Sequence, residues 1–551
     1  MKIFSLLTLI FVLLLAEHTE VVAQTGNRHW IEFTDKNNSP YSLNNPSAYL
    51  SARAIQRRVR QNIAIDSSDL PVNPHYIDSL ISKGALIRNR SRWLNGVTVE
   101  ASPAQLAQIQ ALPFVKRSSP NGRIVLPASQ KMQATPWLPS QRTAFTPAQY
   151  GDSYNQIALH KGDVLHNAGF RGEGMLIAVF DAGFTNVNTL ACFDSLRLQG
   201  KIKDTWDFVD LNSNVYGFDS HGTYVLGCMA GWIPGSLIGT APKADYMLYR
   251  TENNVGGSEY IIEEDNWVAG AERADSAGAD VFNTSLSYTT FDDPSMNHTY
   301  ADLDGNTTRI TRGADKAASK GIMVVVSAGN YGGSSWQYIG APADGDSVLA
   351  VGATDANGNR VGFSSIGPTS DGRIKPNVMA QGSAAVSCGL QNGITTVSGT
   401  SFSGPIMAGL VSCLWQAFPE ITNMQLMQAV QNAGNMASTP NNQVGYGIPD
   451  FQAARQALSV NELNQQQFNL LAYPNPVDRD FQLAFRSTQT GLAKVSLTDL
   501  QGKVLLNLDY TITKPGAQLL ELRLPEGVES GIYLIGIEHQ QQRNYLKLLK
   551  P

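Results

Sequence analysis

A series of short apolar runs, each breaking into small or polar residues, constrains this chain more than any other feature. They are Met175-Leu176-Ile177-Ala178-Val179-Phe180, Ala244-Asp245-Tyr246-Met247-Leu248-Tyr249, Val281-Phe282, Ile322-Met323-Val324-Val325-Val326 and Val348-Leu349-Ala350-Val351. A strand that is apolar along its whole length has no face for water, and amphipathic stretches separate these runs. The pattern predicts an α/β fold whose mainly parallel sheet is covered by helices on both faces. In such sheets sites form where strands end and loops begin.

Around that segment the chain changes character. Its 551 residues predict about three or four domains. The net charge of −5 argues against nucleic acid as a partner, because phosphate binding needs a basic surface. Residues 24–150 carry 15 Lys and Arg against 6 Asp and Glu, a net of +9, whereas residues 151–460 carry 16 against 29, a net of −13. The two segments are expected to attract. Residues 461–551 are neutral, with 9 of each sign. At the front, Met1-Lys2 precedes an apolar run from Ile3 to Ala16 that is short for a membrane span, and Val21-Val22-Ala23 offers a cleavage site before Gln24. Residues 1–23 therefore read as a secretory signal peptide, with a membrane anchor as the alternative. Export would permit disulfides among Cys192, Cys228, Cys388 and Cys413 in any of three pairings, although Cys228 and Cys413 lie in apolar stretches that equally suit buried thiols.

Four polar elements lie after or between the apolar runs. Asp181 closes the first run in Phe180-Asp181-Ala182-Gly183; alone, a carboxylate there reads as a turn residue. In Asp219-Ser220-His221-Gly222-Thr223-Tyr224-Val225-Leu226-Gly227 a polar turn enters an apolar helical pattern, which predicts His221 near a helix N-terminus with an accessible ring. In Val397-Ser398-Gly399-Thr400-Ser401-Phe402-Ser403-Gly404-Pro405 the proline suits a first helical turn, so Ser401 is expected at a helix mouth that favours developing negative charge. Val326-Ser327-Ala328-Gly329-Asn330 opens a buried strand into an amide that can donate a hydrogen bond. Serine is a poor nucleophile at neutral pH; it needs a histidine base, a carboxylate to orient that base, and donors for the oxyanion. Ser401, His221, Asp181 and Asn330 offer those four chemistries in the order Asp, His, Asn, Ser. Gly399-Thr400-Ser401-Phe402-Ser403 does not fit the G-x-S-x-G elbow of lipases and esterases.

On these motifs the segment resembles the subtilisin-like serine proteases over about residues 150–460. The resemblance implies a three-layer subtilisin-like fold and the catalytic set Asp181, His221, Ser401 and Asn330. Gly239-Thr240-Ala241-Pro242 and Phe363-Ser364-Ser365-Ile366-Gly367-Pro368 add to it. Ala182, Tyr224 and Phe402-Ser403-Gly404 depart from the common pattern without removing a catalytic atom. The resemblance further implies that Ser285, Leu286 and Ser287 with Ser327, Ala328 and Gly329 wall the primary side-chain pocket. Ser287 stands where glycine is common and is expected to narrow that pocket. Gly257 and Ser258 are implied in the edge that pairs with an extended peptide. Glu259, Glu263, Glu264 and Asp265 either select basic substrates or form a solvated acidic helix face, the simpler expectation. The chemistry needs no cofactor; structural calcium is a candidate at Asp292, Asp293, Asp302 and Asp304.

By the same resemblance, residues 24–150 take the place of a propeptide, a small α+β unit that helps folding and then inhibits as an intramolecular partner. Residues 461–471 read as a polar linker. Residues 472–551, from Ala472-Tyr473-Pro474-Asn475-Pro476 to Gly531-Ile532-Tyr533, have the rhythm of a small β-sandwich and resemble the C-terminal sorting domain of type IX secretion. The expectation is a secreted or surface-held endopeptidase made as a zymogen, acting on polypeptides and handled by the type IX machinery. An unperturbed histidine base predicts activity rising through about pH 6–7. A silent surface scaffold and an esterase-like acyl hydrolase are the rivals.

Overall fold

The computed structural model describes residues 27–122, 146–254, 258–465, 470–487, 489–539 and 542–551. The expected signal peptide lies outside the described residues, and so does Gly257. No helix among the described residues is long and apolar enough to cross a membrane.

The chain divides into two units. Among the described residues, the first comprises 27–39, 72–90 and 95–122. Its sheet contains β1 (Asn27–Phe33), β2 (Leu86–Ser91), β3 (Gly96–Ala101) and β4 (Val115–Pro120) in the order β2-β3-β1-β4. Ile31, Phe33, Val97 and Val99 alternate onto one face, where they meet Ile77 and Leu80 of the helix Pro74–Ser82 and Ile109 of the helix Pro103–Gln110. Ser102 and Gln105 form a capping box at the second helix, which satisfies two N–H groups that its first turn leaves free.

The second unit takes in residues 40–71 and 91–94 together with everything from 127 onward. Part of the expected propeptide-like segment thus groups with the acidic segment, and the reason is electrostatic. Helix α1 (Ala52–Arg60), capped by Ser51, carries Arg57 and Arg58, each 1% exposed. Both guanidinium groups reach the fully buried Asp275, as does that of Arg92 at 2.5 Å. Arg58 also meets Asp69 at 2.6 Å, and Lys320 closes on Asp69 at 2.9 Å. Glu272 accepts the main-chain N–H groups of Arg92 and Trp93 at 2.8 and 3.0 Å.

Seven parallel strands follow in the second unit: β5 (Leu176–Asp181), β6 (Ile202–Asp207), β7 (Asp245–Arg250), β8 (Val281–Thr284), β9 (Met323–Ser327), β10 (Leu349–Thr354) and β11 (Val378–Gln381). They are ordered β11-β10-β9-β8-β5-β7-β6. Ile177, Val179, Val281, Val325 and Val351 face one core, shared with α2 (His221–Ala230). Ala178, Phe180, Phe282, Val324 and Val326 face another, closed by α3 (Ile262–Ala277) and α4 (Arg309–Ser319). This two-faced burial is why the runs are apolar throughout. The edge strand β6 (Ile-Lys-Asp-Thr-Trp-Asp) is half-buried and polar, so it leaves no such run.

A hairpin of β12 (Ala385–Gly389) and β13 (Gly393–Val397) leads into α5 (Thr400–Ala417), which is buried over nearly its whole length against the α2 face. The chain continues through α6 (Asn423–Asn432) and α7 (Phe451–Gln465). Helix α7 extends into the expected linker, so the first part of 461–471 is helical. The tail forms two sheets, β14 (Leu470–Tyr473), β15 (Asp480–Ser487) and β18 (Gly516–Arg523) in one, and β16 (Gly491–Asp499), β17 (Val504–Ile512), β19 (Gly531–His539) and β20 (Gln542–Lys550) in the other. Leu483, Phe485, Val495, Leu497, Ile535 and Leu548 share one core between them, the β-sandwich its turn spacing predicts. Tyr473 leaves that sandwich to stack against Phe170 and Phe418, with Arg455 over its ring and its hydroxyl donating to the Ala417 carbonyl. All four cysteines are buried and free.

Candidate active site

The carboxyl ends of β5, β8 and β9 lie side by side, and each delivers polar groups to one place. Asp181, the last residue of β5, is fully buried; its Oδ1 accepts the N–H of Ala182 at 2.8 Å. His221 is the first residue of α2, and Asp219 accepts its main-chain N–H at 2.7 Å. Gly222 allows the helix to start against the strand end: a Cβ there would sit 2.4 Å from the Gly183 carbonyl oxygen and 2.9 Å from Asp181 Cβ. The His221 Nδ1 faces both Asp181 oxygens, at 2.9 and 3.0 Å. With Nδ1–H donating to the carboxylate, the neutral ring keeps its lone pair on Nε2. Burial works against charge on His221, but the Asp181 carboxylate, with Asp219 and Glu252, outweighs it and holds the imidazole above its ordinary value. Burial likewise pushes Asp181 up, opposed by His221 and the Ala182 N–H.

Ser401 is the second residue of α5 and 8% exposed. The position of Pro405 corrects a sequence expectation. It lies inside the helix, not in its first turn, and its missing N–H leaves the Ser401 carbonyl without its helical donor. The hydroxyl of Ser285, just past β8, supplies that bond at 2.9 Å. Ser401 Oγ in turn donates to the Ser285 carbonyl at a long 3.4 Å and makes no hydrogen bond to His221, a looseness common in ligand-free sites. Beyond β9, Asn330 accepts from the N–H and hydroxyl of Thr400 at 2.9 and 3.1 Å. Its amide oxygen is thereby engaged, and its Nδ2 remains as a donor. Gly329 has φ +104°, and a Cβ there would approach Ser287 Oγ to 2.8 Å.

These groups open onto one cavity of about 410 Å³. Ser401, His221 and Asn330 line it with Ser258, Ser285, Leu286, Ser287, Ser327 and Gly329. Ala328 is fully buried and does not line it. Glu252, Asn254 and Tyr331 line it as well and escaped the sequence reading. Tyr331 follows Asn330 and was within reach of that motif, whereas nothing local marks Glu252, the second residue beyond β7. The expected solvated acidic face is also corrected: Glu263, Glu264 and Asp265 are 1%, 1% and 3% exposed. Glu264 pairs with His298, and Asp265 with Arg309 at 2.6 Å.

The calcium candidates do not fit a cage. Asp292 accepts the N–H of Glu259, Asp293 that of Ser295, Asp302 that of Thr299, and Asp304 those of Asn306 and Thr307. Each stabilises a local turn or loop contact, whereas calcium needs 6–8 convergent oxygens, about twice what these four residues would offer singly.

A parallel sheet covered on both faces, with an imidazole–carboxylate pair and a helix-borne serine opening onto one cleft, defines a serine-hydrolase frame. The chain belongs to the subtilase family, whose pattern residues 172–447 match. Residues 28–135 match the Peptidase S8 propeptide domain of the Bacteroidota, and residues 471–550 the Secretion system C-terminal sorting domain. Subtilisin DY of Bacillus licheniformis is 31% identical over 303 residues, 54% of this chain and 97% of that protein. Subtilisin NAT of Bacillus subtilis subsp. natto is 29% identical over 304 residues, 54% of this chain and 70% of the relative. Alkaline elastase YaB of Bacillus sp. (strain YaB) is 29% identical over 297 residues, 53% and 67% respectively. This is a subtilisin-like serine endopeptidase with a propeptide domain and a type IX sorting domain, and it is secreted or held at the cell surface.

Proposed function

We propose that the protein hydrolyses peptide bonds through an acyl-enzyme formed on Ser401. His221 Nε2 takes the Ser401 proton as Oγ attacks the scissile carbonyl and returns it to the leaving amine; water then repeats the cycle on the ester. Asp181 orients the imidazole and stabilises its charged form, while Asn330 Nδ2 and the Ser401 N–H hold the oxyanion. No step calls for a metal or cofactor. Residues 24–150 act as the inhibitory propeptide of a zymogen, and the tail, residues 472–551, is the part handled by the secretion machinery. The observation that carries this reading is the 2.9 Å Asp181–His221 contact in a cleft shared with Ser401 and Asn330.

The test is mass spectrometry of all termini after the mature, propeptide-free protein is incubated with a reduced and alkylated polypeptide. New internal cuts are expected. Hydrolysis of small esters without such cuts would replace the reading by an acyl hydrolase, and turnover of neither would leave a binding scaffold.

Two outcomes follow from the geometry. Asn330→Ala removes one oxyanion donor and is expected to lower kcat by about 10²–10³-fold with KM little changed, in steady-state kinetics on a peptide. The working base is neutral His221, and its partners raise its pKa, so protonation persists to higher pH. The acid limb of kcat/KM is therefore expected to have its midpoint above the ordinary 6.5. A midpoint below that value would contradict the Asp181 pairing.

A further inference from the structure

Helix α3 and its approach carry many buried acids, and three have a cationic partner: Glu264 has His298, Asp265 has Arg309, and Asp275 has Arg57, Arg58 and Arg92. Glu252, Glu259 and Glu263 have none among the described residues. Their carboxylates, one oxygen from each, lie within 4.8 Å of one another, and all three residues line the cavity that holds Ser401 and His221. Glu263 is held by the N–H groups of Asn253 and Tyr260 at 2.7 and 2.8 Å. Glu252 is 6% exposed, and its Oε1 takes the hydroxyls of Thr251 and Tyr288. Its Oε2 has no hydrogen-bond donor among the described residues, and neither has the carboxylate of Glu259. A carboxylate oxygen of a mostly buried residue, facing the cavity without a donor and beside two further carboxylates, is strongly unfavourable in its charged form unless a proton or a cation completes it.

We infer that Glu252, Glu259 and Glu263 form a subsite for the side chain of a lysine or arginine in the polypeptide substrate, so that cleavage is directed to sites near a basic residue. The inference rests on reading this cavity as the peptide cleft. Three carboxylates converging with one oxygen each match the three N–H donors of an ammonium group, or one edge of a guanidinium. A calcium ion would want 6–8 oxygens, two to three times the three that these residues offer singly. Burial lifts all three carboxyls: Glu252 to about 8 with repulsion from Glu259 added, Glu259 to about 7 with repulsion from Asp292, and Glu263 with repulsion from Glu252 and Glu259. An entering cation favours their charged forms and releases protons.

The experiment compares mature enzyme on peptides of one sequence in which lysine replaces norleucine, a neutral side chain of similar length, at each position in turn around the cut. At one position the lysine peptide is expected to have a kcat/KM about 10- to 100-fold above its norleucine twin, the strength of charge-assisted hydrogen bonds. In Glu259→Gln and in Glu252→Gln that ratio is expected to fall about tenfold or more. The quantity read is the ratio within each variant, so general damage, which slows both peptides alike, does not produce it. Equal rates on lysine and norleucine peptides at every position, or a preference unaltered in both variants, overturn the inference and leave the protease reading standing. Absent any lysine preference, calcium chloride raising both rates in the wild type but not in Glu259→Gln assigns the cluster to a divalent cation and also overturns it. Cleavage of neither peptide instead sinks the reading on which it rests.

Discussion

Ser401→Ala is expected to lower kcat/KM on an unfolded polypeptide by about 10⁴- to 10⁶-fold, leaving only what substrate binding and oxyanion donors supply. His221→Ala should lose a comparable factor, and the double variant little more, because in the proposed mechanism the two groups act as one unit in a single proton transfer. That non-additivity is the sharper result. A general loss of structure would compound, whereas a shared step can be abolished only once. The loss comes without a change of fold: Ser401 is held by its carbonyl, through Ser285, and alanine keeps that bond. If the precursor processes itself, Ser401→Ala should also accumulate with residues 24–150 attached. A loss of less than tenfold would remove Ser401 as the nucleophile.

Asp275→Asn is expected to destabilise the precursor by about 3–5 kcal/mol, the range for breaking a buried ion pair from one side. Three guanidinium groups would then be buried with no anion at their centre. Arg58 and Lys320 would retain Asp69, which places the loss mainly on Arg57 and Arg92. The measurement is urea unfolding of the Ser401→Ala precursor with and without Asp275→Asn, which keeps self-digestion out of the result. A difference under about 1 kcal/mol, the worth of a surface pair, would show that this cluster does not hold residues 40–71 in place. The same carboxylate sets a pH window. Burial pushes Asp275 up, but Arg57, Arg92 and Arg58 together pull it from the ordinary 3.8 to about 2. Its stabilisation is therefore complete above the ordinary value and fades only as pH falls through about 2.

What the sequence disclosed and what it withheld separate along physical lines. The strands β5, β8, β9 and β10 were legible because both faces are buried, and β6 was not because an edge strand keeps polar residues. Asp181, His221, Asn330 and Ser401 were legible in position because each sits at a strand end or helix mouth where small residues cluster. The fate of the acids on α3 was not legible. Glu263, Glu264 and Asp265 are adjacent, yet one lines the cleft, one meets His298 and one meets Arg309, the last two choices made by elements at least 34 residues away. Pro405 misled for a related reason: the donor that lets a proline sit inside α5 belongs to Ser285, 116 residues before the Ser401 carbonyl it serves. Charge counting anticipated attraction between the basic and acidic segments. It could not say that the attraction would be concentrated in three arginine side chains around one aspartate.

Tyr473, seated between Phe170 and Phe418, changes what the end of the chain means for export. A sorting tail on a loose tether sweeps a volume and offers its surface at random. Here the first strand of the sandwich is anchored by an aromatic side chain, and the preceding helix runs far into the connection, so the tail has a bearing as well as an address.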